Sequence, residues 1–177
     1  LRLDGTGDDI KYADHADWTL GTSDFTIEGW FSWDSSWINS TSSFVTHYAT
    51  TSNQRGWNFQ YDGAPATNVL NFVASSDGIS AANIVQIAWT PTADTFYHLV
   101  AERSGTTFRI YADGVMLASA TNAIDIFNSS NSMIIGETGT GSQAMQGNVD
   151  EFRFTLGVAR YNSDSGYTLP TAAWPRS

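Results

Sequence analysis

The stretch GNVDEFRFTLGVARY, residues 147–161, sets an aspartate, Asp150, inside an otherwise strand-like run. Alternate residues of a strand share a face, so Asp150, Phe152 and Phe154 are expected to point the same way. The two phenylalanines read as core residues. A carboxylate held beside them needs a partner, because an ionised group kept from water alone is very costly. The search for that partner leads to the other end of the chain.

The pattern of this strand repeats upstream. DFTIEGWFSW (24–33) alternates Phe25, Ile27, Gly29, Phe31 and Trp33 with Thr26, Glu28, Trp30 and Ser32, the period of a strand with one core face. Further strands are predicted at SFVTHYAT (43–50), GWNFQYD (56–62), NVLNFVAS (68–75) and ANIVQIAW (82–89). TFRIYADGVMLASAT (107–121) turns at Asp113-Gly114, a strong hairpin signal, and FYHLVAER (96–103) before it extends the hairpin to a three-stranded meander. SMIIGE (132–137) and MQGNVDEFRFT (145–155) close the series. LRLDG and DIKYA are expected to pair with each other around Gly5-Thr6-Gly7, and GVARY (157–161) to form a helical turn. So many strands joined by short polar turns predict an all-β fold: a two-sheet antiparallel jelly-roll sandwich, one domain over residues 1–177.

Composition narrows the function. Eighteen acids against eight bases give a formal charge of −10, with no basic stripe, so a nucleic-acid partner is not expected. The excess of aspartate suits a soluble acidic surface, a saline exterior or calcium. Cysteine is absent, which removes disulfides, thiol nucleophiles and Cys-type zinc sites. No run of 18 apolar residues is present, so membrane insertion by a helix is not expected. The chain opens at Leu1 without methionine or signal peptide and reads as a segment of a longer or processed protein.

Four ordered stretches, LRLDGTGDDI, DFTIEGWFSW, FYHLVAERSGTTFRIYADGVMLAS and MQGNVDEFRF, together resemble the LamG-like jelly roll of the concanavalin A-like lectin/glucanase superfamily. The trailing GVARYNSDSGYTLPTAAWP is similar to tails of LamG-like domains in phage and bacterial surface proteins. The resemblance implies that the first and last strands lie side by side. It also implies a structural calcium between an N-terminal loop and the aspartate of a last-strand motif like VDEFR. Carried over by position, the ligands would be Asp4, Gly5, Asp8 and Asp150, oxygen donors of the kind calcium takes. The alternative is that Asp150 caps backbone N–H groups of that turn or pairs with Arg2.

Glucanases of this superfamily carry E-x-D-x-E or E-x-D-x-x-E on one strand, and retaining hydrolysis needs two carboxyl groups about 5–5.5 Å apart. The glutamates here are Glu28, Glu102, Glu137 and Glu151, and no two share a strand at that spacing. Glu151 and Arg153 are expected to form a surface pair, so a laminarinase-type hydrolase is not expected. The histidines, His15, His47 and His98, lack zinc spacing, and His98 reads as a hydrogen-bonded structural residue. GETGTGSQ (136–143) lacks the lysine of a phosphate loop and reads as a plain surface loop.

Binding remains. Sugar rings stack on aromatic faces while their hydroxyls meet amides and carboxylates. Trp30, opposite in parity to Phe25, Ile27 and Phe31, is expected to face outward. Trp37, His47, Tyr48, Trp57, Asn58 and Tyr61 cluster in the least motif-constrained third and form the expected recognition surface. The sequence therefore points to a non-catalytic, extracellular, cell-surface or virion module that binds glycans or cell-surface polymers. A structural domain packing against neighbouring phage capsid or tail subunits is the alternative.

Overall fold

Alternating apolar residues become twelve strands: β1 (Arg2–Asp4), β2 (Ile10–Tyr12), β3 (Phe25–Trp33), β4 (Ser42–Ala49), β5 (Gln54–Asp62), β6 (Val69–Gly78), β7 (Ala81–Ala88), β8 (Tyr97–Ser104), β9 (Thr107–Ala112), β10 (Val115–Thr121), β11 (Met133–Ile135) and β12 (Gln146–Leu156). They build two antiparallel six-stranded sheets, ordered β1-β12-β3-β8-β9-β10 and β2-β11-β4-β5-β6-β7. This is the all-β jelly-roll sandwich predicted from the sequence. The computed structural model describes residues 1–64 and 67–174. Among these residues only two short 3-10 turns, Ala16–Trp18 and Thr51–Asn53, are helical, and no helix is long and apolar enough to cross a membrane.

The core lies between the sheets. Phe25, Ile27, Phe31 and Trp33 of β3 point inward against Phe59, Tyr61 and Phe72 from the facing sheet, all fully buried. Trp33 meets Phe44 and Tyr61 edge-on at 5.4 and 5.6 Å between ring centroids, the geometry that aromatic quadrupoles favour. Full burial of each such side chain contributes about 1.5–3 kcal/mol.

Two expectations are corrected. LRLDG and DIKYA do not pair with each other. β1 joins β12, with Leu3 opposite Gly147, while β2 crosses to the other sheet and joins β11. The Gly5-Thr6-Gly7 segment, with φ of +83° at Gly5 and +74° at Gly7, is thus a passage between sheets rather than a hairpin turn. Nor does GVARY form a helical turn. Its backbone donors are taken by side chains instead: Arg160 N–H donates to Thr26 Oγ1 (3.0 Å) and Tyr161 N–H to a Glu102 carboxylate oxygen (2.7 Å).

The opening aspartate is explained by a bulge. On β12, Asp150 pairs with Trp30 and Arg153 with Glu28, so Glu151 and Phe152 together face the single residue Gly29. Glu151 adopts φ +46° to make this possible. The extra residue shifts the phase of the strand, and Asp150 no longer shares a face with Phe154. Asp150 is exposed and accepts the N–H of Glu151 at 3.0 Å. It needs no buried partner.

Candidate functional site

The period of two decides where each expected binding residue goes. Within β5, Trp57, Phe59 and Tyr61 take the inner phase, so Trp57 and Tyr61 are core residues with no exposure to a ligand. Trp57 donates its indole N–H to the Trp18 carbonyl (3.0 Å) and Tyr61 its hydroxyl to Asn68 Oδ1 (2.9 Å), which satisfies their polar ends. His47 is also fully buried, pairs across the ladder with Trp57, and has Nε2 2.8 Å from the Asn131 carbonyl. Burial lowers its pKa, against the opposing pull of that carbonyl and of Asp14. Trp37 is half-buried and donates to the Ala144 carbonyl at 2.8 Å. Trp30 does take the outer phase, but on the opposite sheet. Of the expected set, Tyr48 and Asn58 stand together on the outer face of the β4–β7 layer. The proposed aromatic cluster is therefore not a surface.

What occupies that outer face is a field of amides and hydroxyls. Ser43, Gln60, Asn71 and Gln86 are successive cross-strand neighbours from β4 to β7, and Thr46, Asn58 and Val73 form the adjoining row, with Asn83 opposite Val73. A groove of about 260 Å³ runs over them, lined by Tyr48, Asn58, Gln60, Asn83, Thr138 and Gln143 among others. One wall is the loop expected to be a plain surface segment. Thr138 Oγ1 is 2.8 Å from the Ser142 hydroxyl, Gly139 N–H donates to the Tyr48 carbonyl (3.1 Å), and Gln143, at φ +54°, returns to Ser43. Strained backbone held by surrounding hydrogen bonds is a frequent property of ligand sites.

The hydrogen bonding in the groove is lopsided. Asn58 directs its NH2 to Ser43 Oγ (3.1 Å) and Gln60 Oε1, with Gln143 Oε1 at 3.4 Å. Asn71 donates to Asn83 Oδ1 (3.1 Å), and Asn83 in turn to Gln86 Oε1 (2.6 Å). The carbonyl oxygens Asn58 Oδ1 and Asn71 Oδ1 are buried without a partner among the described residues. Each such orphan costs about 1–3 kcal/mol, which a ligand donor relieves. The alternation W-N-F-Q-Y in β5 carries the signal that finds this site: Asn58 and Gln60 share a phase, opposite to the aromatics.

The outer face of the other sheet is also polar, but the chain covers it with its own tail. Glu28 is fully buried, and its Oε1 accepts from Arg153 Nε and Nη2 at 2.7 and 2.6 Å. Its other oxygen takes the Tyr161 hydroxyl and lies 3.5 Å from His98 Nε2. Glu102 accepts the backbone N–H groups of Tyr161 and Asn162, both at 2.7 Å, and the Tyr111 hydroxyl at 3.2 Å. Burial, followed by the charge of Arg153, pushes the His98 pKa down to about 4. Burial likewise pushes the Tyr111 phenol up to about 12. Trp174 closes the cover, its ring 3.5 Å from the Arg153 guanidinium carbon and its two N–H groups on Glu151. The expected Glu151–Arg153 pair is thus replaced by Arg153 with Glu28 and Glu151 with Trp174. His98 is the hydrogen-bonded structural residue expected, bonded through Nδ1 to the Tyr167 hydroxyl. Beside the tail, Trp30, Phe96, Asp150 and Pro170 border a second cleft of about 350 Å³.

The expected calcium ligands do not assemble. Asp4 pairs with Gln146, four residues from Asp150, a separation of roughly 13 Å along the strand. Asp4 Oδ1 instead accepts from Thr6 N–H (2.7 Å) and Asp8 Oδ2 from Asp4 N–H (3.0 Å). Arg2 pairs with Asp34 rather than Asp150. Among the described residues no group of three or more acidic or histidine side chains is arranged to hold a metal ion. Asp4, Gly5, Asp8 and Asp150 do not fit one shared cation.

Each of the four glutamates is engaged: Glu28 with Arg153, Glu102 with the tail, Glu137 with Lys11 (3.3 Å) and Glu151 with Trp174. None stands free as an acid or nucleophile facing the groove.

A family model described as the concanavalin A-like lectin/glucanases superfamily matches residues 4–158. No curated protein matches the sequence. Among solved structures, the chain is similar to the CBM40 of Ruminococcus gnavus IT-sialidase bound to α2,3-sialyllactose. Identity is 11% and TM-score 0.65, covering 93% of this chain and 92% of that one. It is also similar to domain 4 of an extracellular arabinanase from Geobacillus stearothermophilus in complex with arabinotriose. There identity is 16% and TM-score 0.64, over 89% and 70% of the two chains. A heptameric SAP-like pentraxin from Limulus polyphemus matches at 14% identity and TM-score 0.56, over 86% and 73%. At these identities the likeness is one of fold.

Proposed function

The chain belongs to the concanavalin A-like lectin/glucanases superfamily, and from that premise we propose that it is a non-catalytic glycan-binding module of a larger extracellular or virion protein. The observation that carries this reading is the groove over β4–β7, where Asn58 Oδ1 is buried without a partner and Gln60, Asn83 and Gln143 surround it. Amides at fixed spacing on a rigid sheet hold hydroxyl groups in fixed directions, which is how polar sites orient sugars. Similar solved structures include modules in complex with sialyllactose and with arabinotriose, which supports the reading at the level of fold.

The alternative, a domain that packs between capsid or tail subunits, calls for a large apolar patch. The exposed large apolar residues include Val115, Ile79 and Leu1, whereas the glycan reading has a specific observation behind it in the polar groove. A glycan array followed by calorimetry tests it. Binding to at least one glycan family, weakened tenfold or more by Asn58→Ala, is expected. Absence of binding across the array, or release of reducing sugars from a β-glucan panel, overturns it.

A further inference from the structure

We infer that the groove selects uncharged, hydroxyl-donating sugars and binds them without a bridging cation. This rests on the glycan-binding reading above and deepens it. The reason is which half of each amide is already in use. The NH2 groups of Asn58, Asn71 and Asn83 donate to Ser43 and Gln60, to Asn83, and to Gln86. What the buried asparagines leave over is acceptor capacity, at Asn58 Oδ1 in the groove lining and at Asn71 Oδ1 beside it, on residues 2% and 3% exposed. A sugar hydroxyl supplies the missing hydrogen. The carboxylate of an acidic sugar, or a sulfate, brings only lone pairs: it sets them against Asn58 Oδ1 and meets no donor in the lining stronger than the neutral NH2 groups of Gln60 and Gln143 and the hydroxyls.

Charge points the same way. Among the described lining residues there is no lysine, arginine, aspartate or glutamate. An anionic sugar entering the groove therefore loses hydration with no cation to replace it. The net charge of −10 adds a long-range field of the same sign. The lack of a lining carboxylate also leaves only neutral amide and hydroxyl oxygens, without the negative charge that gives a cation-bridged sugar site its affinity. Tyr48 is the single aromatic among the described lining residues, so direction comes from hydrogen bonds more than from stacking.

The experiment compares the intact chain on two glycan sets: neutral oligosaccharides of glucan, arabinan, galactan and mannan, and charged ones including sialyllactose, oligogalacturonate and heparan sulfate fragments. Titrations run with and without EDTA, and at low and high salt. The expected result is binding confined to the neutral set, unchanged by EDTA and altered less than twofold by salt. Asn58→Leu is expected to weaken it at least tenfold. Asn83→Ala, at an exposed position that tolerates truncation, provides the same readout should the Leu variant fold poorly. Binding of the charged set alone or of both sets equally, or loss of binding with EDTA, overturns this inference while leaving the glycan reading in place. Failure to bind either set overturns both.

Discussion

The two outer faces of the sandwich are both polar, yet they resolve their polarity in opposite ways. On the β3–β8 face, Glu28, Glu102 and His98 Nδ1 are paired with side chains and tail backbone, and His98 Nε2, 3.5 Å from Glu28, is the buried nitrogen left without a hydrogen bond among the described residues. On the β4–β7 face, Asn58 keeps a free carbonyl oxygen in the lining of an open groove, and Asn71 keeps another on the same sheet outside that lining. A polar face closed by its own chain contributes to stability. One left incomplete holds capacity for something outside the chain. The groove is attractive as a site because its hydrogen bonding is unfinished, and the richer electrostatics of the other face argue for structure.

The comparison can be broken by substitution. The largest effect is expected at the closed face: Glu28→Ala strips the half-buried Arg153 guanidinium and the Tyr161 hydroxyl of their shared buried partner and should cost about 3 kcal/mol in urea denaturation. A loss below about 1 kcal/mol would show that the tail does not seal this face. Next comes pH. His98 has a folded pKa near 4 against an ordinary value of 6.5, so the unfolded chain takes up the proton first. Stability from this group is complete above pH 6.5 and lost as pH falls toward 4, by about 3 kcal/mol at most. His98→Gln should flatten that limb of the stability curve.

Smaller effects sharpen the contrast. Trp174→Ala removes the stacked cover of Arg153 and the indole hydrogen bond to the Glu151 carbonyl, an expected loss of about 1–2 kcal/mol read as a drop in Tm. At the open face, Asn71→Leu deletes an orphaned carbonyl and is expected to be near neutral or mildly stabilising. A clear loss there would mean that its oxygen is satisfied after all. The smallest effect is expected from EDTA, which should leave Tm unchanged. A fall would reveal a cation held by oxygens other than the four dispersed across Asp4, Gly5, Asp8 and Asp150.

How much of this was legible in the sequence follows from where the period of two holds. It holds without interruption in β3, so its core face and the outward phase of Trp30 could be read directly. It holds equally in β5, where consistent use of the same rule separates Asn58 and Gln60 from Trp57 and Tyr61. Proximity in sequence groups those residues into an aromatic surface, and phase, which the structure follows, divides them between the core and the groove. In β12 the rule fails for a physical reason. The bulge at Glu151 is a backbone conformation, φ +46°, that no alternation pattern announces, and it reverses the side on which Asp150 stands. The tail is illegible for a related cause: it has no period, because its backbone bonds to Thr26 and Glu102, 134 and 59 residues away in sequence.

The bulged strand has a mechanical consequence. Leu1 exchanges hydrogen bonds with Val149, while Trp174 is fastened to Glu151, so both extremities of the described chain are moored to one strand two residues apart. A load drawing those extremities apart is borne first by these moorings, at the rim of a sheet, and reaches the aromatic interior only after they part. Single-molecule stretching should register a short early extension before the main rupture, and a single-step rupture would show that the moorings yield together with the interior. The groove, on the far sheet, stays out of the line of pull.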